Sequence, residues 1–334
     1  MSSAPADAPG RAPRILVVGN ANVDVLMGPL TPWPTPGTEV VTDRYELRVG
    51  GAAGNTGLAL AALAGEEQGA EQAAEPPFEL IGSVGDDALG RWLENELAGV
   101  MRLTRVPEAT ALTVGLNHPD GQRTFVSYLG HLEHLPVERI EAALESAAPG
   151  DLLLLCGYFL LPQLRELAPK WLARARERGL VTTLDTGWPS EGWTPEVREE
   201  LLALLPHLSV FLPNREELLG VAGLPDTGTY EPEVVSDALQ VLAQSGCREA
   251  IVKLGPDGAL HAGAEGRATY AAPVVSVQDT VGAGDTFNAA LLSAVQRGAA
   301  FRQGMEAAVN AASLAISSSP RRYPTWEELS AAPA

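Results

Sequence analysis

The chain has 334 residues, 46% of them apolar, enough to bury one large core or two modest ones. A formal net charge of -19 with no Lys/Arg run argues against a nucleic-acid partner, because the average surface repels polyanions. No stretch approaches the roughly 18 consecutive apolar residues of a membrane span, and the widely separated Cys156 and Cys247 form no C-x-x-C, so a soluble protein with core thiols is expected.

In chain order, residues 1–13 are rich in Ala, Pro and Ser but lack the apolar run of a signal peptide, which predicts a disordered tail and cytoplasmic residence. Residues 14–19 (RILVVG) read as a buried strand. It runs into Gly19-Asn20-Ala21-Asn22-Val23-Asp24, where Asn22 and Asp24 could donate to and accept from adjacent hydroxyls of a polyol, or form a turn. Residues 25–49 are rich in Pro and Gly, then alternate through EVVTDRYELRV as a hairpin or edge strand. Gly50-Gly51-Ala52-Ala53-Gly54-Asn55 opens a helix predicted over 56–64. Its glycines let backbone approach a ligand closely, and Asn55 could bond a hydroxyl from the first turn. Residues 65–77 form an acidic, low-complexity loop with no assigned function.

A strand over 78–84 leads into Val84-Gly85-Asp86-Asp87, read as a structural turn with Asp87 near the start of a helix over 89–98. Residues 110–130 hold TALTVGLN, a turn at His118-Pro-Asp-Gly-Gln, and RTFVSYL. This hairpin and residues 25–49 fall outside the main rhythm and would form a small β-lid over the sheet's carboxyl edge, where open α/β sheets bind ligands. The histidines (His118, His131, His134, His207, His261) show no metal-ligand spacing beyond the loose pair His131 and His134, and are read as solvated loop residues. Strands over 151–156, 181–185, 209–212 and 250–254 alternate with helices over 164–178, 234–244 and 285–295. Continuous apolar strands alternating with helices predict a mostly parallel sheet covered on both faces, a three-layer α/β/α sandwich.

Three segments carry the chemistry. In Pro213-Asn214-Arg215-Glu216-Glu217, Asn214 and Glu217 share one face of a helical turn, so they could converge on magnesium-bound water and phosphate oxygens or cap the helix. In Lys253-Leu254-Gly255-Pro256-Asp257-Gly258, Gly255 and Gly258 could lay backbone against ATP phosphates while Lys253 neutralises charge, or form a plain turn. The densest signal is DTVGAGDTF, Asp279 to Phe287. Gly282, Ala283 and Gly284 would expose N–H groups at a helix N-terminus, where the dipole favours an anion, and Asp285 would accept a proton from an attacking hydroxyl. There is no G-x-x-x-x-G-K-[ST], so a P-loop is excluded.

DTVGAGDTF resembles the C-terminal signature of the ribokinase (PfkB) family of carbohydrate kinases, and the other motifs fall in that family's order from about Arg14 to Glu328. The resemblance implies a ribokinase-like core (14–24, 50–109 and 131–330) with a β-lid (25–49 and 110–130), ATP and Mg2+ as cofactors, and transfer of the γ-phosphoryl to a hydroxyl, a primary one, of a sugar-like substrate. Asp285 would be the base and Gly282 to Gly284 the anion hole. Asn22, Asp24, Gly50, Gly51 and Asn55 would bind substrate. Asn214 and Glu217 would hold Mg2+ largely through water, and Lys253, Gly255 and Gly258 the nucleotide, with Asn310 beside adenine. Asp279 and the carbonyl of Val281 match positions for a monovalent cation such as K+, but Ser317 to Pro320 departs from the Gly-containing loop that should complete it, so potassium activation is left open. Gly121-Gln122-Arg123-Thr124-Phe125 resembles a lid strand shared by ribokinases, fructokinases and ketodeoxygluconate kinases; Arg123 would reach an anionic substrate or lie on the lid's wet face. Ala52 stands where ribokinases usually carry Lys, which weakens a ribokinase assignment. A nucleoside kinase of the same fold and a catalytically silent sugar- or nucleotide-sensing protein are the alternatives. Relatives often dimerise through the lid, which makes a homodimer there a hypothesis and leaves the oligomeric state open.

Overall fold

In a computed structural model that describes residues 11–65, 77–118, 123–318 and 320–331, the apolar runs form the middle of one large sheet. The tail through residue 10, residues 66–76 of the acidic loop, and the turn at 119–122 with its Gly121 and Gln122 lie outside the described residues.

The strands are β1 (Ile15–Val18), β2 (Asn22–Met27), β3 (Tyr45–Gly50), β4 (Phe78–Gly85), β5 (Arg102–Val106), β6 (Leu112–Asn117), β7 (Arg123–Tyr128), β8 (Leu152–Cys156), β9 (Val181–Asp185), β10 (Val210–Phe211), β11 (Ala250–Lys253), β12 (Ala259–Gly263) and β13 (Gly266–Tyr270). The helices are α1 (Ala52–Ala64), α2 (Ala88–Glu96), α3 (Val137–Ser146), α4 (Pro162–Glu177), α5 (Pro195–Leu204), α6 (Arg215–Ala222), α7 (Pro232–Gln244), α8 (Ala283–Gln296), α9 (Phe301–Ile316) and α10 (Trp326–Ala331). The large sheet runs β13-β12-β11-β10-β9-β8-β1-β4-β5, parallel from β11 to β5 and finished by an antiparallel hairpin, β12 and β13. Period-2 alternation divides the core. Ile15, Val17, Leu152 and Leu154 pack under α1, α8 and α9, while Leu16, Val18, Leu153 and Leu155 pack against α3 to α7.

A second sheet, β3-β2-β6-β7, is the lid. β2 begins at Asn22, three residues before the expected lid boundary, so the lid's root already carries the motif. Register places Arg48, Asp24, Thr113 and Ser127 side by side on one face. Val25, Met27, Tyr45, Leu47, Val126 and Tyr128 occupy the other, with Tyr45, Val126 and Tyr128 exposed. Trp33 stacks on His118 with ring centroids 4.0 Å apart, a contact within the lid.

Asp87 does cap α2, accepting from the Gly90 N–H at 2.7 Å, and it also accepts from the Thr110 N–H and hydroxyl. The histidine expectation fails at two positions. His131 is fully buried, its Nδ1 accepting from the Ala111 N–H at 2.8 Å, and burial holds its pKa down to about 4; His261 is buried on β12 beside Glu249. Among the described residues no group of three or more His, Cys, Asp or Glu could hold a metal, and both cysteines are free thiols. No helix among the described residues is long and apolar enough to cross a membrane.

Candidate active site

Two helices begin at the sheet's carboxyl edge and pack together along their length, α1 capped by Gly51 and α8 by Gly282. Gly282 has φ 76°, the left-handed turn that only glycine adopts freely, so the chain reverses into α8 with the Ala283 and Gly284 amides in its first turn. Asp285 follows in that turn. Its Oδ2 accepts from Asn55 Nδ2 at 2.8 Å, which joins the start of α1 to the start of α8.

Burial, and then the neighbouring Asp185 carboxylate, push the Asp285 carboxyl up to about 7, against the Asn55 bond and the cations Lys253 and Arg321. A carboxylate of that basicity is suited to accept a proton near neutral pH.

At the root of the small sheet, polar side chains are linked to one another. Asn20 Nδ2 donates to Asn22 Oδ1 at 3.1 Å, and Asn22 Nδ2 donates to Asp24 Oδ1 at 2.8 Å, with all three side chains buried. The Asn22 amide is therefore engaged in orienting Asp24. A Cβ at Gly50 would overlap the Asp24 carboxylate, and one at Gly51, where φ is +83°, would strike the Asn20 carbonyl and Asn22 Oδ1. Burial raises the Asp24 pKa, with Arg48 the largest opposing influence. Arg48 pairs through Nη1 with Asp279 Oδ2, while its buried Nε and Nη2 have no partner. Arg123 opens β7, the strand that supplies Ser127 to the same face as Asp24.

On the opposite side, Lys253 at the end of β11 bonds Asp185 Oδ2 at 2.5 Å, and Asn288 Nδ2 bonds the same oxygen at 2.5 Å. Lys253 is held above its ordinary pKa: burial lowers it, and the Asp185 and Glu217 carboxylates more than offset that. It lies under the α8 N-terminus, 3.5 Å from where a Gly284 Cβ would stand. Asn214 and Glu217 form a capping box, Glu217 N–H to Asn214 Oδ1 at 2.8 Å and Asn214 N–H to Glu217 Oε2 at 2.9 Å. Burial and Asp185 raise Glu217 to about 8.

Asp185 raises both Glu217 and Asp285, with Lys253 beside all three carboxyls and Arg321 beside Asp285. Glu217 and Asp185 are the carboxyls that could hold a divalent ion, through water.

Beside Lys253 opens an apolar slot of about 450 Å3, walled by Val274, Val275, Val277, Val309, Ala312 and Ile316, with Gly255, Gly258 and Gly284 at its mouth. Its lining is mostly apolar. A wider cavity of about 840 Å3, with a more mixed lining, adjoins it at Lys253, Gly255 and Thr280 and includes Asn214. Asn310 is not a wall of the slot. Positions 309, 312, 313 and 316 face it, and 310 lies about 100° further round the helix from 309.

The monovalent-cation expectation meets a different arrangement. Asp279 Oδ1 accepts from the Val281 N–H at 2.9 Å and its Oδ2 takes Arg48, while the Val281 carbonyl accepts from Arg321 Nη1 at 2.5 Å. Ser317 and Ser318 turn their hydroxyls back onto the Leu314 and Ala315 carbonyls of α9. Both named ligands thus face guanidinium groups and do not fit an added K+. The reading of the sequence passed over Asp185, Arg48 and Arg321. Arg321 Nη2 donates to Asn55 Oδ1 at 3.1 Å, so it reaches Asp285 through Asn55.

Comparison with known proteins places the chain in a family. The family model described as pfkB family carbohydrate kinase matches residues 12–328. The chain is 30% identical over 301 residues to aminoimidazole riboside kinase of Salmonella typhimurium, covering 85% of this chain and 81% of that protein. It is 28% identical to ribokinase of Arabidopsis thaliana, covering 91% and 76%. The solved structure of the Arabidopsis ribokinase with ribose and ATP superposes with a TM-score of 0.77 at 24% identity, covering 96% of this chain and 98% of that one, a likeness of fold.

Proposed function

The chain belongs to the PfkB family of carbohydrate kinases, and on that premise we propose that it transfers the γ-phosphoryl of ATP to a primary hydroxyl of a polyol held on the lid's polar face. The observation that carries this reading is the Asp285 carboxyl, raised to about 7, beside the glycine-flanked amides at the start of α8.

Asp24, fixed by Asn22 and Asn20, accepts hydrogen bonds from acceptor hydroxyls and turns the reacting hydroxyl toward Asp285. Asp285 takes its proton as the oxygen attacks. The N–H groups of the Gly282 to Gly284 turn, at the positive end of α8, stabilise the charge on the transferring group. Lys253 offsets phosphate charge from below. Glu217 and Asp185 would hold Mg2+ through water, and the ion would supply neutralising charge to the phosphates. Closure of the lid excludes water and so suppresses hydrolysis of ATP. Free thiols at Cys156 and Cys247 fit a reducing, cytoplasmic setting.

A riboside acceptor is the second reading. The relative named aminoimidazole riboside kinase favours it, as does Phe125, half exposed and packed over Gly115 in the row next to Asp24, where a ring could rest on a base. A coupled ADP-release assay over pentoses, hexoses, sugar acids and ribosides separates the two. Wild type silent on all of them, yet binding one, would favour a sensor.

The lid's outer face is uncharged and apolar, so two copies carrying -19 each can meet there with little repulsion. A homodimer through this face predicts twice the chain mass by light scattering and a monomer for Val126→Lys; a monomeric wild type rejects it.

A further inference from the structure

At the start of α8 the positive charge is already part of the chain. The Asp279 carboxylate, the Val281 carbonyl and the turn between them would be the oxygens offered to a monovalent cation, and cations of that class bind by replacing their water shell with such oxygens. Here the Val281 carbonyl accepts from Arg321 Nη1 at 2.5 Å, and Asp279 divides its oxygens between the Val281 N–H and Arg48. A guanidinium is planar, permanently charged and forked, so one group can hold two acceptors at fixed spacing. Arg321 uses that fork: Nη1 goes to Val281 and Nη2 to Asn55 Oδ1 at 3.1 Å, while Asn55 Nδ2 holds Asp285 at 2.8 Å. Its Nη1 also lies 2.5 Å from where a Gly282 Cβ would stand, directly against the backbone of the turn, and Tyr323 lies along it at 5.5 Å from the ring centroid.

We propose that Arg321, seconded by Arg48, replaces a monovalent cation in this kinase, fixing the Gly282–Gly284 turn and, through Asn55, the Asp285 carboxyl, so that turnover does not depend on K+. Arg321 is a positioning residue, since it reaches the reacting groups through the Val281 carbonyl and Asn55. A potassium ion would need the oxygens that Arg321 and Arg48 hold and would have to sit beside two like charges. This inference rests on the kinase reading, and its test has an arm that does not.

The experiment compares wild type with Arg321→Ala and Arg321→Lys at constant ionic strength in choline, sodium, potassium or guanidinium chloride. ADP release and thermal denaturation are both followed. Wild-type turnover is expected to agree within about twofold between choline and potassium. Arg321→Ala is expected to lose at least about tenfold in choline and to recover in potassium or guanidinium. Arg321→Lys keeps the charge without the fork and is expected to stay indifferent to potassium with partial activity. In denaturation, potassium should raise the midpoint of Arg321→Ala and leave wild type unchanged, because only an open site gains stability from a ligand. That arm stands even if no acceptor is found. Stimulation of wild type by potassium of about tenfold or more, a potassium-specific rise in its midpoint, or an Arg321→Ala loss that no cation repairs would each overturn the proposal.

Discussion

The acceptor side and the nucleotide side of the cleft are built on opposite principles. At the lid root, buried amides and a carboxylate form an unbroken relay from Asn20 through Asn22 to Asp24, with glycines at 50 and 51 admitting them against the backbone. Across the cleft, the slot is walled by valines on an irregular segment, residues 271–282, and Val274 and Val277 stand exposed. Prewired polar groups discriminate strongly, because a ligand that fails to match them leaves buried donors and acceptors unpaired. An apolar slot discriminates little and gains from any flat ring of the right size. On the proposed reading, the difference would put specificity on the acceptor and leave the phosphoryl donor to packing.

The largest expected effect removes the point where the two sides meet. Asp285→Ala should lower kcat by about 10³-fold or more with modest changes in either KM. In wild type the carboxylate is the active form, so kcat/KM should rise with pH, pass half its maximum near 7 and level off above it, a profile that Asp285→Asn should abolish. The sign for stability is opposite. The folded carboxyl titrates well above its ordinary 3.8, so its contribution is present while it is protonated and is lost as pH rises through about 7. Asp285→Asn should therefore raise the melting midpoint more at pH 8 than at pH 5, and equal shifts at both would show that the carboxyl is not elevated.

Next in size, Asp24→Ala should raise the acceptor KM by about 10²-fold while moving the ATP KM little, a split that tests whether the relay reads the acceptor. Smallest, Val275→Asp should raise the ATP KM by about tenfold and spare the acceptor KM, since it places a carboxylate in the apolar slot. Coupled changes in both KM values for either variant would erase the contrast between the sides.

What the sequence displays follows the same division. The parallel strands are legible because each is a continuous apolar run, and the α8 turn because its small residues and carboxylate are contiguous. The start of α1 is less so: Ala52 already belongs to the helix, four residues before the predicted 56–64, since the Gly51 N-cap hides it. The antiparallel edge of β12 and β13 escapes notice because both strands are short and the outer one, β13, is largely exposed. Asp185, Arg48 and Arg321 are illegible for a different reason. Asp185 meets Lys253 across 68 residues and Arg48 meets Asp279 across 231, contacts that only sheet order and lid closure create. A signal existed for Arg48 alone, as a charge in an alternating strand whose register sets it opposite Asp24.

The chain passes from β1 of the large sheet to β2 of the lid through only Gly19, Asn20 and Ala21. That passage is pinned, since the Asn20 carbonyl accepts from the Ala53 and Gly54 N–H groups and its side chain from the Ala52 N–H. A joint so short and so tied cannot stretch. If Asp24 anchors acceptor hydroxyls and Asp285 receives the attacking one, as proposed, the joint acts as a ruler between them, and acceptors should be sorted by the span between those hydroxyls before the identity of the ring is felt at all.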